Sequence, residues 1–250
     1  MKGTRRKLLI SAFALGGLLA VPAQSKPFNM IYKGKYADVD FSWSAEAAAV
    51  PPLVKRFRTT FANEKAKTIA CGKEESEVRI KSGGEGIRCQ SSTKVTTSGE
   101  TPRLLSLARE YWAFTGGAHG NGATNALLWD RKLKKEITFA WLFPRDAPYA
   151  AVLRSPYCPA LDRERKKRRG ADYQPSPISQ FDSCPKLSDL ALIPAASRPA
   201  GKLDRIHLIA AAYLAGPYAE GEYDIALPVS PKLVLLMKPE YRASFQPQRQ

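Results

Sequence analysis

Residues 104–130 read LLSLAREYWAFTGGAHGNGATNALLWD, and this stretch decides the fold. Leu104–Phe114 reads as a long strand. Glycines at 116, 117, 120 and 122 interrupt it, and Ala123–Asp130 resumes a strand. The lysine-rich turn Arg131–Lys135 then leads into Glu136–Phe139, closing a second hairpin. Strands that return through short turns pair antiparallel, whereas parallel pairs need a long crossover.

Working outward, Phe28–Tyr32 is a short apolar strand. Ala37, Val39, Phe41 and Trp43 alternate with Asp38, Asp40, Ser42 and Ser44, the period of a half-buried strand. Pro51 and Pro52 suit a helix start, and Leu53, Val54, Phe57 and Phe61 follow on one helical face, read as a helix laid on a sheet. Glu77–Lys81 and Ile87–Thr96 read as strands around Gly83-Gly84. Downstream, Asp146–Leu153 suits a short helix, and Leu190–Ile193 and Leu203–Tyr213 suit strands. Tyr223–Val229 alternates and carries Pro228, so it is placed at a sheet edge; Pro231–Met237 suits a helix. The expected class is α+β, with mostly antiparallel sheets, a few packing helices and two intimate subdomains, 24–140 and 141–250.

Residues 1–23 read as a signal peptide: Lys2, Arg5, Arg6 and Lys7 precede the apolar run Leu8–Val21, and Val21-Pro22-Ala23 suits cleavage. No cysteine follows the site, so neither a lipid anchor nor a stable membrane span after cleavage is expected, and the location is periplasmic or secreted. The chain has 250 residues, 44% hydrophobic and 25% charged, which excludes a disordered, collagenous or polytopic membrane protein. Its net charge is +16, and removing residues 1–23, with four basic and no acidic side chains, leaves +12. Export argues against a nucleic-acid partner, so the charge points to an anionic envelope polymer such as peptidoglycan or lipopolysaccharide. Six basic residues, Arg163 and Arg165–Arg169, fall in the segment 159–183, read as an exposed basic loop.

Cys71, Cys89, Cys158 and Cys184 are even in number in an oxidising compartment, so two disulfides are expected. Three pairings exist; Cys71–Cys89 with Cys158–Cys184 closes local loops. No metal-ligand spacing, P-loop, dinucleotide fingerprint, nucleophile elbow or zincin motif is present, so no metal, cofactor or catalytic set is assigned. His119, in the Gly-rich stretch, suits a structural role, a ligand contact or a general base. His207 suits a paired polar residue on a strand. Asp38 and Asp40 suit a solvated strand face.

The run Tyr111–Asn121 (YWAFTGGAHGN) resembles the extracytoplasmic domain family of the RsiV anti-sigma factor, the lysozyme receptor, shared by the N-terminal module of the PdaC peptidoglycan deacetylase. Trp129-Asp130 and the segment Glu136–Phe143 follow in the family's order. So do the Pro-Tyr loop Ala215–Gly221 and the strand Ile225–Ser230. The resemblance spans roughly 35–237 and implies a two-part α+β extracytoplasmic module, with lysozyme binding in one branch. It does not bring the sigma-binding region, since seven residues precede the apolar run, nor the deacetylase motif. The expected function is a non-enzymatic binding module for an envelope ligand or a lysozyme-like muramidase, with Gly117, His119, Asn121, Pro217 and Tyr218 as the contact residues. The alternative is a peptidoglycan hydrolase or accessory factor using His119. Animal-type lysozymes are themselves basic, so a +12 chain needs local acidic patches to attract one.

Overall fold

The computed structural model describes residues 27–170, 176, 178–198 and 201–248. The signal-peptide reading lies outside them, as do Pro175 and Pro177 of the basic segment. Among the described residues nine strands and five α-helices follow in order: β1 (Phe28–Lys33), β2 (Ala37–Trp43), α1 (Ala45–Ala48), α2 (Pro51–Lys81), β3 (Cys89–Glu100), β4 (Leu104–Phe114), β5 (Asn121–Asp130), β6 (Lys135–Ile137), α3 (Tyr149–Arg169), β7 (Ala191–Ala195), β8 (Arg205–Ala210), β9 (Tyr223–Pro228), α4 (Pro231–Leu236) and α5 (Pro239–Arg242). The class is α+β. Strands β1 to β6 form one sheet in sequence order and β7-β8-β9 a second. Every pair is antiparallel except β2–β3, whose parallel pairing follows from the long crossover through α2. Pro194 and Pro228 sit in β7 and β9, the two edges of the small sheet, where no ladder donor is missed on the outer side.

The alternation in β2 buries Ala37, Val39, Phe41 and Trp43, the last three packed with Leu53, Phe57 and Phe61 of α2. From β4 and β5, Leu105, Leu107, Leu127 and Trp129 join this cluster. The opposite face of the same strands supplies Leu104 and Leu128 to a second cluster with Tyr157, Leu161, Ile206, Leu208, Tyr223 and Tyr241. Burial on both faces explains why the first four residues of β4, Leu104, Leu105, Ser106 and Leu107, are all buried rather than alternately so.

Three sequence readings are corrected. Glu77–Lys81 belongs to α2, not to a strand. Its local alternation imitates a strand, but Ser76 turns inward, its hydroxyl donating to the Ile87 carbonyl and accepting from the Ile87 amide. Gly83, at φ 79°, follows the helix end. The basic segment is likewise no loop over its first half: α3 begins at Tyr149 and runs through Cys158 to Arg169 despite Pro156 and Pro159. Leu153, Tyr157, Leu161 and Arg165, spaced four apart, form its buried stripe, and the strong helix formers of 160–169 carry the last turns. The strand expected over Leu203–Tyr213 is shorter, Arg205–Ala210, because the chain turns where the Tyr213 amide donates to the Gly216 carbonyl. Disulfides join Cys71 to Cys89 and Cys158 to Cys184. The first ties α2 to the start of β3, and the second ties α3 to the segment before β7. Two disulfides fit a secreted or periplasmic protein. Among the described residues no helix is long and apolar enough to cross a membrane.

Candidate functional site

The second sheet covers only the Leu104–Leu128 end of β4 and β5. At the other end Glu110 pairs across the ladder with Thr124 and Trp112 with Gly122, and this open face is the floor of a cleft of about 470 Å³. Its far wall is Ala212 and the loop from Tyr218 to Glu222.

The wall brings the glycine-rich turn and the Pro-Tyr loop together. The His119 and Tyr218 rings stack, centroids 3.7 Å apart and 16° from parallel. Tyr213 lies beyond, its ring 5.8 Å from that of Tyr218. The Tyr218 hydroxyl donates to the Gly120 carbonyl at 2.7 Å, across 98 residues of chain. That carbonyl also accepts from His119 Nδ1 at 2.9 Å, which places the proton of a neutral imidazole there and leaves Nε2, 3.5 Å from the Tyr213 hydroxyl, as acceptor. Gly120 is required by packing: a Cβ there would sit 2.2 Å from Trp112 Cζ2. Pro217 caps the single turn Tyr218–Glu220, and Gly221, at φ 68°, ends it. Asn121 lines the cleft and accepts from the Gly122 amide at 2.9 Å. Gly117 stands apart with open space where a side chain would go.

The loop is held from beneath by α3. Arg169 donates through Nε to Glu220 Oε1 at 2.7 Å and through a terminal nitrogen to Asp182 at 2.6 Å. Arg168 donates to the carbonyls of Glu220 at 2.6 Å and Glu222 at 2.8 Å and lies over the Tyr223 ring. Arg165, 3% exposed, donates to the Ala215, Asp182 and Ser183 carbonyls. Three of the six basic side chains thus turn inward, and Arg163, Lys166 and Lys167 are the outward ones. Burial opposes ionisation of Glu220, but Arg169 and the Tyr223 hydroxyl outweigh it and hold the carboxyl below its ordinary value. Burial and Glu220 together push the Tyr223 phenol up to about 12. From the cleft floor, the Thr124 amide and hydroxyl donate to the two carboxylate oxygens of Glu222, at 2.6 and 2.7 Å.

A second depression of about 420 Å³ adjoins the cleft, sharing Glu110, Thr124 and Glu222 and adding Asp224 and His207. His207 Nδ1 lies 2.8 Å from Asp224, an exposed pair on neighbouring strands. The result is an acidic groove with an aromatic rim on a basic protein. Sequence reasoning missed Tyr213, Glu110 and Glu222, and it placed Arg168 and Arg169 in an exposed loop rather than beneath the Pro-Tyr loop, because these contacts span long intervals of chain. Only the Trp112 beside the glycine motif was within reach of a local reading.

No protein-family model and no curated protein sequence matches the chain. Among solved structures, one of a DUF3298 family protein from Pseudomonas aeruginosa PAO1 matches with 17% identity and a TM-score of 0.54, over 89% of this chain and 95% of that one. The two proteins share a fold. A DUF3298 family member from Bacteroides fragilis NCTC 9343 matches with 17% identity and a TM-score of 0.49, over 81% of this chain and 89% of that one.

Proposed function

We propose that this protein is a non-enzymatic extracytoplasmic binding module, that the aromatic rim and acidic groove are its contact surface, and that its partner is a basic, lysozyme-like muramidase. The observation carrying the reading is the stack of His119 on Tyr218, which brings two separate sequence motifs into one surface. Rigid aromatic rings at a groove rim supply contact area at low entropic cost. Glu110, Glu222 and Asp224 give the groove the sign that attracts a basic partner, against the repulsion expected from the net charge. The resemblance to the RsiV extracytoplasmic domain supplies the class of partner, and the disulfides fit its compartment.

An anionic wall polymer suits the outward face of α3 rather than this groove, and three of that helix's basic side chains are engaged inward. The Gly120 carbonyl on His119 Nδ1 leaves Nε2 able to act as a base, so the hydrolase reading is separated from the binding one by the turnover test below. Titration calorimetry of the disulfide-bonded protein against an animal-type lysozyme at physiological salt tests the reading. We expect submicromolar binding that Tyr218→Ala abolishes while the fold stays intact. No binding, together with retention on cell-wall sacculi that weakens steeply with salt, would replace the muramidase with a polyanion. Turnover of a wall substrate that His119→Ala removes would make the protein a hydrolase.

A further inference from the structure

A second cavity, sharing no lining residue with the acidic groove, has the opposite chemistry. It measures about 830 Å³ and is bounded by the β1–β2 turn, one face of the last turns of α2, and the segment entering β3. Its apolar surface comes from Tyr36, Ile80 and Ile87. Ile80 is 61% exposed, a large aliphatic side chain left in water at the cavity wall. Its polar edge is cationic: Lys35, Lys73, Lys81 and Arg88 line it, against one carboxylate, Glu77. Lys81 meets Glu77 at 2.6 Å, and Arg88 lies 3.5 Å from Asp38. The ammonium groups of Lys35 and Lys73 make no ion pair among the described residues and lie 5.1 and 5.9 Å from the Tyr36 ring centre. The spacing is built by the helix. Residues 73, 76, 77, 80 and 81 share one face of α2, so Lys73 and Ile80 both line the cavity, with the Lys73 ammonium toward the Tyr36 ring.

The cavity lies within the range of small-molecule sites, which combine apolar walls with a few charged groups. Its walls come from three separate segments of chain, which suits one molecule bound in a groove rather than a flat membrane contact. A purely apolar guest would leave the Lys35 and Lys73 charges unmatched, and a bare anion would leave the apolar walls wet. We propose that this cavity binds one molecule of an anionic amphiphile, with its acidic headgroup between Lys35 and Lys73 and its acyl chain along Tyr36, Ile80 and Ile87.

The test is calorimetry of the disulfide-bonded protein with dodecyl phosphate below its micelle concentration. Inorganic phosphate serves as the chainless control and dodecyl maltoside as the uncharged one. We expect one site for dodecyl phosphate and at least tenfold weaker binding of either control. Lys35→Glu with Lys73→Glu, and separately Ile80→Asp, should each weaken dodecyl phosphate at least tenfold. These positions are exposed, so an unchanged circular dichroism spectrum and thermal midpoint are expected. The comparison of the three ligands on the unaltered protein decides the matter without any variant. Equal affinity for the maltoside, uptake of many molecules, or no binding would overturn the proposal. Binding to phosphatidylglycerol vesicles without binding of the single amphiphile would overturn it too, showing a membrane surface instead. None of these results bears on the muramidase reading, which rests on other residues.

Discussion

Asp130 shows how one side chain of a recognisable motif can be structural. It is fully buried and accepts from Arg103 Nε at 2.9 and 3.0 Å, from the Tyr241 hydroxyl at 2.9 Å, and from the Lys132 and Leu133 amides at 2.9 Å. Burial opposes its charge, but Arg103, the Leu133 amide and Tyr241 outweigh it and hold the carboxyl below its ordinary value. Removing it strands the Arg103 guanidinium, so Asp130→Ala should cost about 3–5 kcal/mol in chemical denaturation. The sign of the pH effect follows. A depressed carboxyl contributes stability that is complete above the unfolded value of about 3.9 and is lost as pH falls through the lower folded value. Stability should therefore fall in acid, and less steeply in Asp130→Asn; an equal slope would show that Asp130 is not the group responsible. Tyr213 has a different character. It holds a left-handed backbone at φ 70° that disfavours any residue but glycine. Tyr213→Gly should change stability by less than about 1 kcal/mol, since relief of strain offsets lost chain stiffness, and should weaken lysozyme binding at least tenfold. A large loss of stability would mean the ring is a packing element rather than a contact.

Among the elements, α3 is the latch beneath the Pro-Tyr loop. Arg169 is 8% exposed at its side chain and Glu220 16%, so Arg169→Ala leaves a carboxylate in a poorly hydrated place and should cost about 3 kcal/mol. Lys166→Ala, three residues away and exposed, should stay within about 0.5 kcal/mol. If the latch positions the contact surface, Arg169→Ala also weakens partner binding without touching the partner. Equal effects of the two substitutions, measured by urea unfolding, would contradict it. The β-hairpins and the first half of α2 were legible in the sequence because alternation and helical spacing act within a few residues. The rest of α2 and the basic half of α3 were not. Glu77–Lys81 alternates like a strand until Ser76 is seen to bond Ile87, and the prolines of α3 hide a helix whose buried stripe needs a partner sheet.

At the scale of the molecule, charge is sorted rather than spread. The groove between the sheets carries carboxylates, the cavity beside α2 carries ammonium groups, and the outward face of α3 carries the remaining basic cluster. A net charge of +16 says nothing of this division, which arises when elements far apart in sequence are folded together. The meeting of His119 with Tyr218 is of the same kind: each motif was visible alone, and only the packing of the small sheet on the large one joins them. Reduction of the disulfides should leave the groove's chemistry unaltered but cost the whole molecule about 3 kcal/mol per loop, read as a lower urea midpoint. Hydrogen–deuterium exchange with and without an animal-type lysozyme tests the proposal that the aromatic rim and acidic groove are the contact surface for a basic muramidase. Slowed exchange confined to residues 110–124 and 212–222 is the expected result. No change there, or protection restricted to the basic turns of α3, would contradict the claim.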